Sequence, residues 1–251
     1  MKGLLNLFPR PLLIRLSQWV RPFLDLWFRG NRFTDPINKK SYRKFLPYGY
    51  VRQRNHALSP GTLSLERHRL LWLYLERETD FFKKSLKVLH VAPEQAFYKS
   101  FKKLDNIDYT TTDLHSPLAN VKADICDLPF KENQFDVILC NHVLEHIPND
   151  KKAMQELFRV LKPGGWAILQ VPLDSKRLKT FQDDTITDPK ERMRVFGQYD
   201  HVRLYGMDYF EKLEKSGFST QAIIYAEELT SEEITRFGVV SHEIIPVCFK
   251  P

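Results

Sequence analysis

Cysteine and glycine are scarce in this sequence, and each scarcity excludes a class of protein. Three cysteines occur in 251 residues, Cys126, Cys140 and Cys248. So few thiols, spaced so widely, exclude a disulfide framework and a cysteine-rich metal site, and they lead us to expect a reducing, cytoplasmic setting. The ten glycines do not form a Gly-x-Gly-x-x-Gly loop, which argues against a dinucleotide-dependent dehydrogenase.

Long apolar runs are also missing. A membrane crossing needs about 20 consecutive apolar residues, and the Leu-, Phe- and Trp-rich start of the chain is interrupted by Arg15, Arg21 and Asp25. It also lacks the uninterrupted apolar core of a signal peptide. This pattern predicts that residues 1–30 form a basic amphipathic segment. Two interpretations stay open: a helix packed on the protein or a partner chain, or a helix in peripheral contact with the inner face of a membrane.

Acidic residues are rare in the first part of the chain. Residues 1–60 hold 12 Lys and Arg against 2 Asp and Glu, whereas residues 61–251 hold 26 against 29. A nucleic-acid-binding protein usually carries basic charge on its folded domain as well. Because the excess is confined to the N-terminal region, a nucleic-acid partner is not expected.

Beyond residue 86, short apolar segments alternate with helical patterns. Residues 31–63 are rich in loop formers, and a helical period follows over 64–82. Alternation of strands and helices predicts an α/β fold with a doubly wound, mostly parallel sheet. The predicted strands are 87–91, 108–112, 135–140, 166–171, 220–225 and 243–249, and the predicted helices are 94–104, 150–161, 208–216 and one opened by a capping box at 230–233.

In such a sheet, ligands bind beyond the carboxyl ends of the strands. A nucleoside needs a carboxylate for its ribose hydroxyls, a polar group for its exocyclic amine and apolar surface for its base. Asp113 and Asp124, with Leu114 and Ile125, supply these groups. The candidate cofactor-binding residues at the strand ends are His90, Ala92, Glu94, Asp113, Leu114, Asp124, Ile125, Cys126, Asn141 and His142.

Four motifs in order resemble the type 11 class I S-adenosylmethionine-dependent methyltransferases. They are Asp-Ile-Cys-Asp-Leu-Pro-Phe at 124–130, Asn-Gln-Phe-Asp-Val-Ile at 133–138, His-Val-Leu-Glu-His at 142–146 and Glu-Leu-Phe-Arg-Val-Leu-Lys-Pro-Gly-Gly at 156–165. The resemblance implies a Rossmann-like, seven-stranded methyltransferase domain over 64–251, with its nucleoside-binding core at 86–172 and an acceptor or lid region at 173–210. It implies S-adenosylmethionine as cofactor and S-adenosylhomocysteine as product.

The resemblance also implies roles for individual residues. Asp113 would bind the ribose hydroxyls, Asp124 would meet the adenine amine, and the Ile125 backbone N–H would meet the adenine ring. Asn141 and His142 would line the methionine side.

The family's first motif, Asp-x-Gly-x-Gly-x-Gly, is changed in this chain. Its positions hold His90, Ala92, Glu94 and Ala96, and only glycine adopts positive φ without steric cost. Glu94 either contacts the amino group of the cofactor or is a helix-start carboxylate favoured by the helix dipole. The same change leaves open a relative that has lost the cofactor and serves as a binding module.

A second resemblance lies in the loop-rich segment 31–63. Asp35, Asn38, Ser59 and Thr62 stand at the spacing of two Cys-x-x-Cys knuckles, so the segment looks like a degenerate zinc ribbon that precedes a Ser-Leu-Glu-Arg-His-Arg helix start. Structural zinc sites use thiolates and imidazoles. No zinc is expected there, and no metal site is predicted elsewhere.

The segment 196–206 interleaves polar side chains with Tyr and Gly in the predicted acceptor region. His201 is the leading candidate for a catalytic base, with His146 second, because an imidazole titrates near neutral pH. Tyr199, Arg203 and Tyr205 are candidate acceptor ligands; alternatively, His201 and Arg203 brace the lid or a dimer contact. The predicted acceptor is a small molecule, or a lipid- or glycan-linked group.

Two rival functions remain to be weighed. His142, Glu145 and His146 match the His-x-x-Glu-His pattern of inverted zinc peptidases, but Pro148 would end a helix after barely one turn. A nucleic-acid methyltransferase is the second alternative. The basic N-terminus favours it, but the sequence lacks the Asn/Asp-Pro-Pro-Tyr motif of base-flipping methyltransferases.

Overall fold

A computed structural model describes residues 10–49 and 53–251, with side chains from residue 19 onward in the first helix. Part of the predicted segment 1–30, residues 1–9, lies outside the described residues. Among the helices of the described part of the chain, none is both long and apolar enough to cross a bilayer.

Strands and helices alternate through most of the chain. The strands are β1 Arg29–Asp35, β2 Lys40–Tyr42, β3 Leu46–Tyr48, β4 Arg54–Leu58, β5 Leu86–Val91, β6 Ile107–Thr112, β7 Phe135–Cys140, β8 Leu161–Ile168, β9 Phe181–Gln182, β10 Arg203–Leu204, β11 Ser219–Ile223 and β12 Ile245–Phe249. The α-helices are α1 Arg10–Trp27, α2 Glu66–Glu78, α3 Gln95–Phe101, α4 Asp150–Val160, α5 Pro189–Phe196, α6 Tyr209–Glu214 and α7 Ser231–Phe237, with 3₁₀ turns at Leu144–His146 and Tyr225–Glu228.

The central sheet has six strands in the order β11–β12–β8–β7–β5–β6. β6, β5, β7 and β8 run parallel, whereas β12 pairs antiparallel with both β8 and β11. Strand order reverses between β5 and β7, so the topological switch that favours ligand binding lies at their carboxyl ends. The prediction of an α/β fold with a doubly wound, mostly parallel sheet is confirmed.

The described residues do not contain all of the seven strands that the resemblance implied. Beyond β6, Val121 forms one isolated parallel bridge with Thr112. The intervening segment turns back too tightly to extend a strand, because the Asn120 carboxamide accepts the Thr111 backbone N–H at 2.6 Å and the Thr111 hydroxyl at 2.8 Å. In the described residues the sheet therefore has six strands where seven were expected.

Two units make up the described chain. The first contains residues 10–80, 94–103 and 225–243, and the second contains 81–93, 104–224 and 244–251. The second holds the whole central sheet, and its core joins β5, β7 and β8 to α4 and α6. The sequence predicted a linear division at residue 63, whereas α2, α3 and α7 group with the N-terminal segments.

The first unit is built around a buried arginine from the Ser-Leu-Glu-Arg-His-Arg segment. Arg69 is fully buried and donates to the carbonyls of Ala57, Ser64, Phe237 and Gly238 at 2.6–3.0 Å. Burial lowers the pKa of its guanidinium to about 10. One cation thus satisfies carbonyls of three separate segments, which would otherwise be costly to bury.

The two zinc-ribbon-like turns meet through hydrogen bonds. Asp35 accepts the Ile37 backbone N–H at 3.0 Å with one oxygen, and the hydroxyls of Thr62 and Ser64 with the other. Ser59, which stands three residues before Thr62, is also buried, and its backbone N–H donates to the Ser64 carbonyl. The likeness to a zinc ribbon stays a prediction, since hydrogen bonds join positions at which a ribbon would use metal.

Candidate active site

Left-handed backbone marks the carboxyl ends of both strands that flank the switch. Ala92 follows β5 with φ +48°, and His142 follows β7 with φ +55°. Each turn is hydrogen-bonded to a neighbouring segment: the Ala92 N–H donates to the Thr112 carbonyl at the end of β6 at 2.8 Å, and the His142 N–H donates to the Gln170 carbonyl just after β8 at 2.7 Å. A non-glycine residue pays roughly 1–2 kcal/mol for this geometry. Strain of this kind concentrates at functional sites.

Buried polar atoms lie beside these two turns. Asn141 is 3% exposed, and within the described part of the chain neither its amide nitrogen nor its oxygen has a hydrogen-bond partner. The same holds for the buried hydroxyl of Thr112 at the end of β6. Orphaned buried polar groups are rare and costly. A carboxamide and a hydroxyl at the switch suit a ligand that carries both donors and acceptors, as a nucleoside with an amino-acid tail does.

Asp113 lies directly after β6 in a turn that fixes its carboxylate. One oxygen accepts the backbone N–H groups of His115 and Ser116 at 2.7 and 2.6 Å. Both bonds use Oδ1, so the turn sets the orientation of the other oxygen. A carboxylate held in this way can receive hydroxyl donors without reorganising.

The second acidic segment is arranged by a similar turn. Asp124 is exposed, and its Oδ1 accepts the Cys126 backbone N–H at 2.8 Å; Ile125 between them is buried. Burial is the main cause that raises the pKa of the Cys126 thiol. Leu114 is 53% exposed, which leaves an apolar side chain beside Asp113.

Two residues of the altered first motif have partners of their own. His90 is buried in β5, with Nδ1 2.7 Å from the Tyr109 hydroxyl of β6. Glu94 belongs to the other unit, where it precedes α3 and lies 3.8 Å from His68 Nε2. Its side chain makes no capping hydrogen bond to α3, so both interpretations of Glu94 stay predictions.

Three histidines surround one buried carboxylate after β7. The side chain of Glu145 is 2% exposed; one of its oxygens lies 3.3 Å from His142 Nδ1 and 4.0 Å from His201 Nε2. The rings of His146 and His201 meet edge to face at 4.7 Å. The structure thus brings together the two predicted catalytic histidines and a carboxylate that sequence reasoning left without a role in the transferase. The His-x-x-Glu-His pattern was the signal for it.

Burial controls the protonation of His201. Desolvation lowers the pKa of its imidazole, the Glu145 carboxylate opposes this, and His146 lowers the pKa further. Nδ1 lies 3.2 Å from the Phe196 carbonyl. A carbonyl only accepts, so Nδ1 carries the hydrogen and Nε2 carries the lone pair in the neutral ring. Its lone pair lies on the side of Glu145.

Arg203 and Tyr205 occupy different positions from those expected of acceptor ligands. The Arg203 side chain is fully buried and donates to the carbonyls of Leu144, Ile147 and Pro148 at 2.5–2.8 Å. Tyr205 is 0% exposed and donates to Asp150 at 2.8 Å. These contacts favour bracing roles for both residues, which for Arg203 was one of the two interpretations left open, and acceptor binding by either residue stays a prediction. Tyr199 is 51% exposed and stays a candidate.

The 3₁₀ turn also argues against the peptidase. The residues Leu144–His146 form a single 3₁₀ turn, and His142 is outside any helix with positive φ. The paired imidazoles of an inverted zinc peptidase require a continuous α-helix through the motif, and this segment has none.

Residues 79–169 match the family described as Methyltransferase domain. Over 91 residues the chain is 35% identical to the 2-phytyl-1,4-naphtoquinone methyltransferase of Nostoc sp., and over 99 residues it is 46% identical to the demethylmenaquinone methyltransferase of Staphylococcus carnosus. These matches cover 33% and 39% of this chain and 38% and 39% of the two relatives. The chain therefore spans about two fifths of the length of each of these two relatives.

The fold extends beyond that matched segment. The crystal structure of the [4+2]-cyclase SpnF is similar with a TM-score of 0.52 at 14% identity, and covers 94% of this chain and 96% of that one. Sheet order, switch-point residues and the family match together define a class I methyltransferase fold. Residues 79–169 match a methyltransferase domain, and the predicted resemblance to the class I methyltransferases is confirmed.

Replacing Arg203 should release the turn that carries Glu145 and His146. Arg203→Met keeps an unbranched side chain but leaves three buried carbonyls without a donor, so we expect the free energy of unfolding to fall by about 3 kcal/mol or more. Urea denaturation measures it. Arg194→Met is the matched control, because Arg194 is 75% exposed and only 3.4 Å from Glu191. Equal unfolding midpoints for both variants would contradict the bracing role.

Proposed function

We propose that the chain transfers a methyl group from S-adenosylmethionine to a small-molecule or lipid- or glycan-linked acceptor. The observation that carries the proposal is the set of strand-end groups inside the methyltransferase domain: left-handed turns at Ala92 and His142, orphaned buried polar atoms on Asn141, and the positioned carboxylate of Asp113. The cofactor supplies an electrophilic methyl group on a sulfonium. The protein must bind it, orient it and exclude water.

Each strand end has a proposed part in holding the cofactor. The Oδ2 of Asp113 would accept the two ribose hydroxyls, while Oδ1 keeps its backbone donors. Asp124 would accept from the adenine amine, and Leu114 and Ile125 would contact the base. Asn141 would use its carboxamide on the methionine portion, with His142 beside it. Because the Asp113 and Asp124 carboxylates are already held by turns, they need little ordering when the cofactor binds.

The acceptor side is assigned to the histidine cluster. Methyl transfer is an in-line displacement, so positioning supplies much of the rate. An oxygen or nitrogen nucleophile must also lose a proton, and His201 Nε2 is the proposed base, with His146 as the alternative. Quinones are the acceptor class that we propose to test first, since the names of both quinone methyltransferases cited above point to such substrates.

A binding module without methyl transfer is the second candidate. The altered first motif favours it, and the fold is compatible with other activities, because the similar structure cited above is that of a [4+2]-cyclase. Cofactor binding and methyl transfer must therefore be measured separately. A nucleic-acid acceptor is not part of the proposal.

Cofactor binding is expected to depend on the free oxygen of Asp113. Asp113→Asn retains an oxygen that can accept the His115 and Ser116 N–H groups, but puts a donor amide where the ribose hydroxyls need an acceptor. Loss of a hydrogen bond to a charged group costs about 1.5–3 kcal/mol. We expect the affinity for S-adenosylhomocysteine, measured by calorimetry, to fall roughly 10- to 100-fold.

Asp183→Asn is the matched control for that measurement. Asp183 accepts the Thr185 backbone N–H in an exposed turn of the same kind, so the variant changes charge and turn chemistry away from the switch. Full-length protein that binds neither S-adenosylmethionine nor S-adenosylhomocysteine would sink the proposed cofactor, and unchanged affinity in Asp113→Asn would remove its ribose role.

The base is tested by methyl transfer to demethylmenaquinol, the reduced form of demethylmenaquinone, which is dispersed in detergent under reducing conditions with methyl-tritiated S-adenosylmethionine. Because burial lowers the pKa of His201 from 6.5, the imidazole stays neutral and able to take a proton below that pH. We expect the acid limb of kcat/KM to lie below pH 6.5, and His201→Gln to lower kcat about 100-fold or more. His242→Gln, an exposed histidine, is the control. Full activity of His201→Gln would show that His201 is not the catalytic base.

Peripheral membrane contact is proposed for α1. Its apolar side chains are exposed along one face, with Trp19 at 84%, Phe23 at 64% and Trp27 at 61%. The acidic residue that interrupts the segment points elsewhere: Asp25 accepts the Tyr42 hydroxyl and the Lys40 ammonium at 2.5 Å. An apolar helix face within a strongly basic region fits an anionic lipid surface, where a lipid-soluble acceptor would be found.

Vesicle flotation tests this contact. We expect the full chain to float with vesicles of phosphatidylcholine and phosphatidylglycerol, and less so in high salt. Each large apolar side chain contributes about 1.5–3 kcal/mol on burial, so the triple variant Trp19→Ser, Phe23→Ser, Trp27→Ser should bind at least tenfold more weakly. Leu178→Ser, at an 80% exposed leucine outside α1, is the control. Equal flotation of the two variants would oppose the proposal.

A further inference from the structure

The histidine cluster after β7 has the composition of a metal site. Glu145, His146 and His201 each offer one ligand atom, and these three atoms lie within 4.8 Å of one another. Two of the residues come from the 3₁₀ turn Leu144–His146, and the third comes from the segment just before β10. The two imidazoles contact backbone carbonyls and the Glu145 side chain is buried, so the arrangement does not rely on mobile surface side chains.

Both imidazoles are oriented by carbonyl acceptors. His201 Nδ1 lies 3.2 Å from the Phe196 carbonyl, and His146 Nδ1 lies 3.3 Å from the Asp200 carbonyl. Since a carbonyl cannot donate, each Nδ1 carries the hydrogen and each Nε2 carries the lone pair in the neutral ring. Metal-binding histidines are typically arranged in this way, with the second nitrogen donating to a carbonyl or carboxylate.

The distance between His201 and Glu145 also favours a shared cation. His201 Nε2 and the Glu145 oxygen are 4.0 Å apart, which exceeds the 2.7–3.2 Å range of a hydrogen bond. Zinc holds nitrogen and oxygen ligands about 2.0–2.2 Å away, so tetrahedral ligand atoms stand roughly 3.3–3.6 Å from each other. Shifts of about an ångström would bring the three atoms to that geometry, with the His142 ring 3.3 Å from Glu145 as its neighbour.

We propose that Glu145, His146 and His201 bind one divalent transition-metal ion of the zinc type. Two imidazole nitrogens and one carboxylate oxygen suit zinc and its neighbours, whereas calcium and magnesium prefer oxygen ligands throughout. Three protein ligands leave a fourth position, as in catalytic zinc sites. The prediction of no metal is thereby revised at this cluster, though not at Asp35 and its partners.

The proposal goes beyond the proposed function and, where the ion is bound, replaces the base role of His201. With a cation bound, His201 Nε2 is a ligand and no longer a base. An acceptor hydroxyl in the fourth position would then lose its proton to solvent, because a bound divalent ion lowers the pKa of the oxygen that it holds. Zinc binding and methyl transfer are measured by separate experiments, so either can fail alone.

The test uses the full chain after treatment with a chelator and dialysis. Calorimetric titration with zinc chloride is expected to give one site with a Kd at or below about 1 μM. Glu145→Gln keeps the shape of the side chain and removes its charge, and we expect it to weaken zinc binding about 100-fold or more. His146→Gln, at a 27% exposed side chain, should do the same with less risk to folding. His242→Gln should bind zinc as the unaltered chain does.

Cobalt provides an independent readout of the same site. Co²⁺ in a four-coordinate nitrogen and oxygen environment absorbs visible light, and that absorption should disappear in both ligand variants while circular dichroism stays unchanged. The proposal is overturned if the full chain binds no zinc at micromolar concentration. It is equally overturned if folded Glu145→Gln and His146→Gln bind zinc as tightly as His242→Gln, since the ion would then lie elsewhere.

Discussion

The Arg203 guanidinium is the contact on which the candidate active site depends. A short turn after a parallel strand exposes carbonyls that neither strand nor helix can satisfy, and here three of them converge on one buried cation. Asp150 lies 3.6 Å from Arg203 and opens α4, so the charge is partly balanced where the next helix begins. A turn fixed in this way can hold Glu145 in the interior, because its backbone needs no solvent. The cluster of imidazoles is thus a consequence of how that turn is satisfied.

The cofactor side depends on a different constraint, which is the backbone at the strand ends. The family motif uses glycines because a ligand approaches the main chain closely and the chain must turn left-handed. This sequence keeps the turn at Ala92 without the glycine and repeats the conformation at His142. Both are fixed by hydrogen bonds from the adjoining strand or loop, so the geometry is imposed by the sheet and not by local preference. Loss of the glycines therefore does not imply loss of the turn after β5.

The fold could be predicted from the sequence wherever periodicity was strong. β5, β6 and β7 were predicted to within one residue of their ends, and the capping box at Thr230 and Glu233 is present. β8 begins at Leu161, five residues before the prediction, because Pro163, Gly164 and Gly165 form an irregularity inside the strand and do not separate it from α4. The seventh strand that the resemblance implied was never placed in the sequence, and in the described residues side-chain bonds from Asn120 bend the segment after β6.

Burial explains why the site was harder to predict than the fold. An arginine and a tyrosine in a polar loop look like ligands for an acceptor, and only tertiary structure shows that Arg203 and Tyr205 face inward. Glu145 is the opposite case, because in the sequence it is only one acid in a short motif. In the structure it lies close to both His142 and His201, and His201 is 56 residues away in the chain. A carboxylate removed from water needs positive charge or strong donors close by. His142 and His201 are the imidazoles within 4.0 Å of this carboxylate, so its environment comes from two distant parts of the chain that the sequence alone does not bring together.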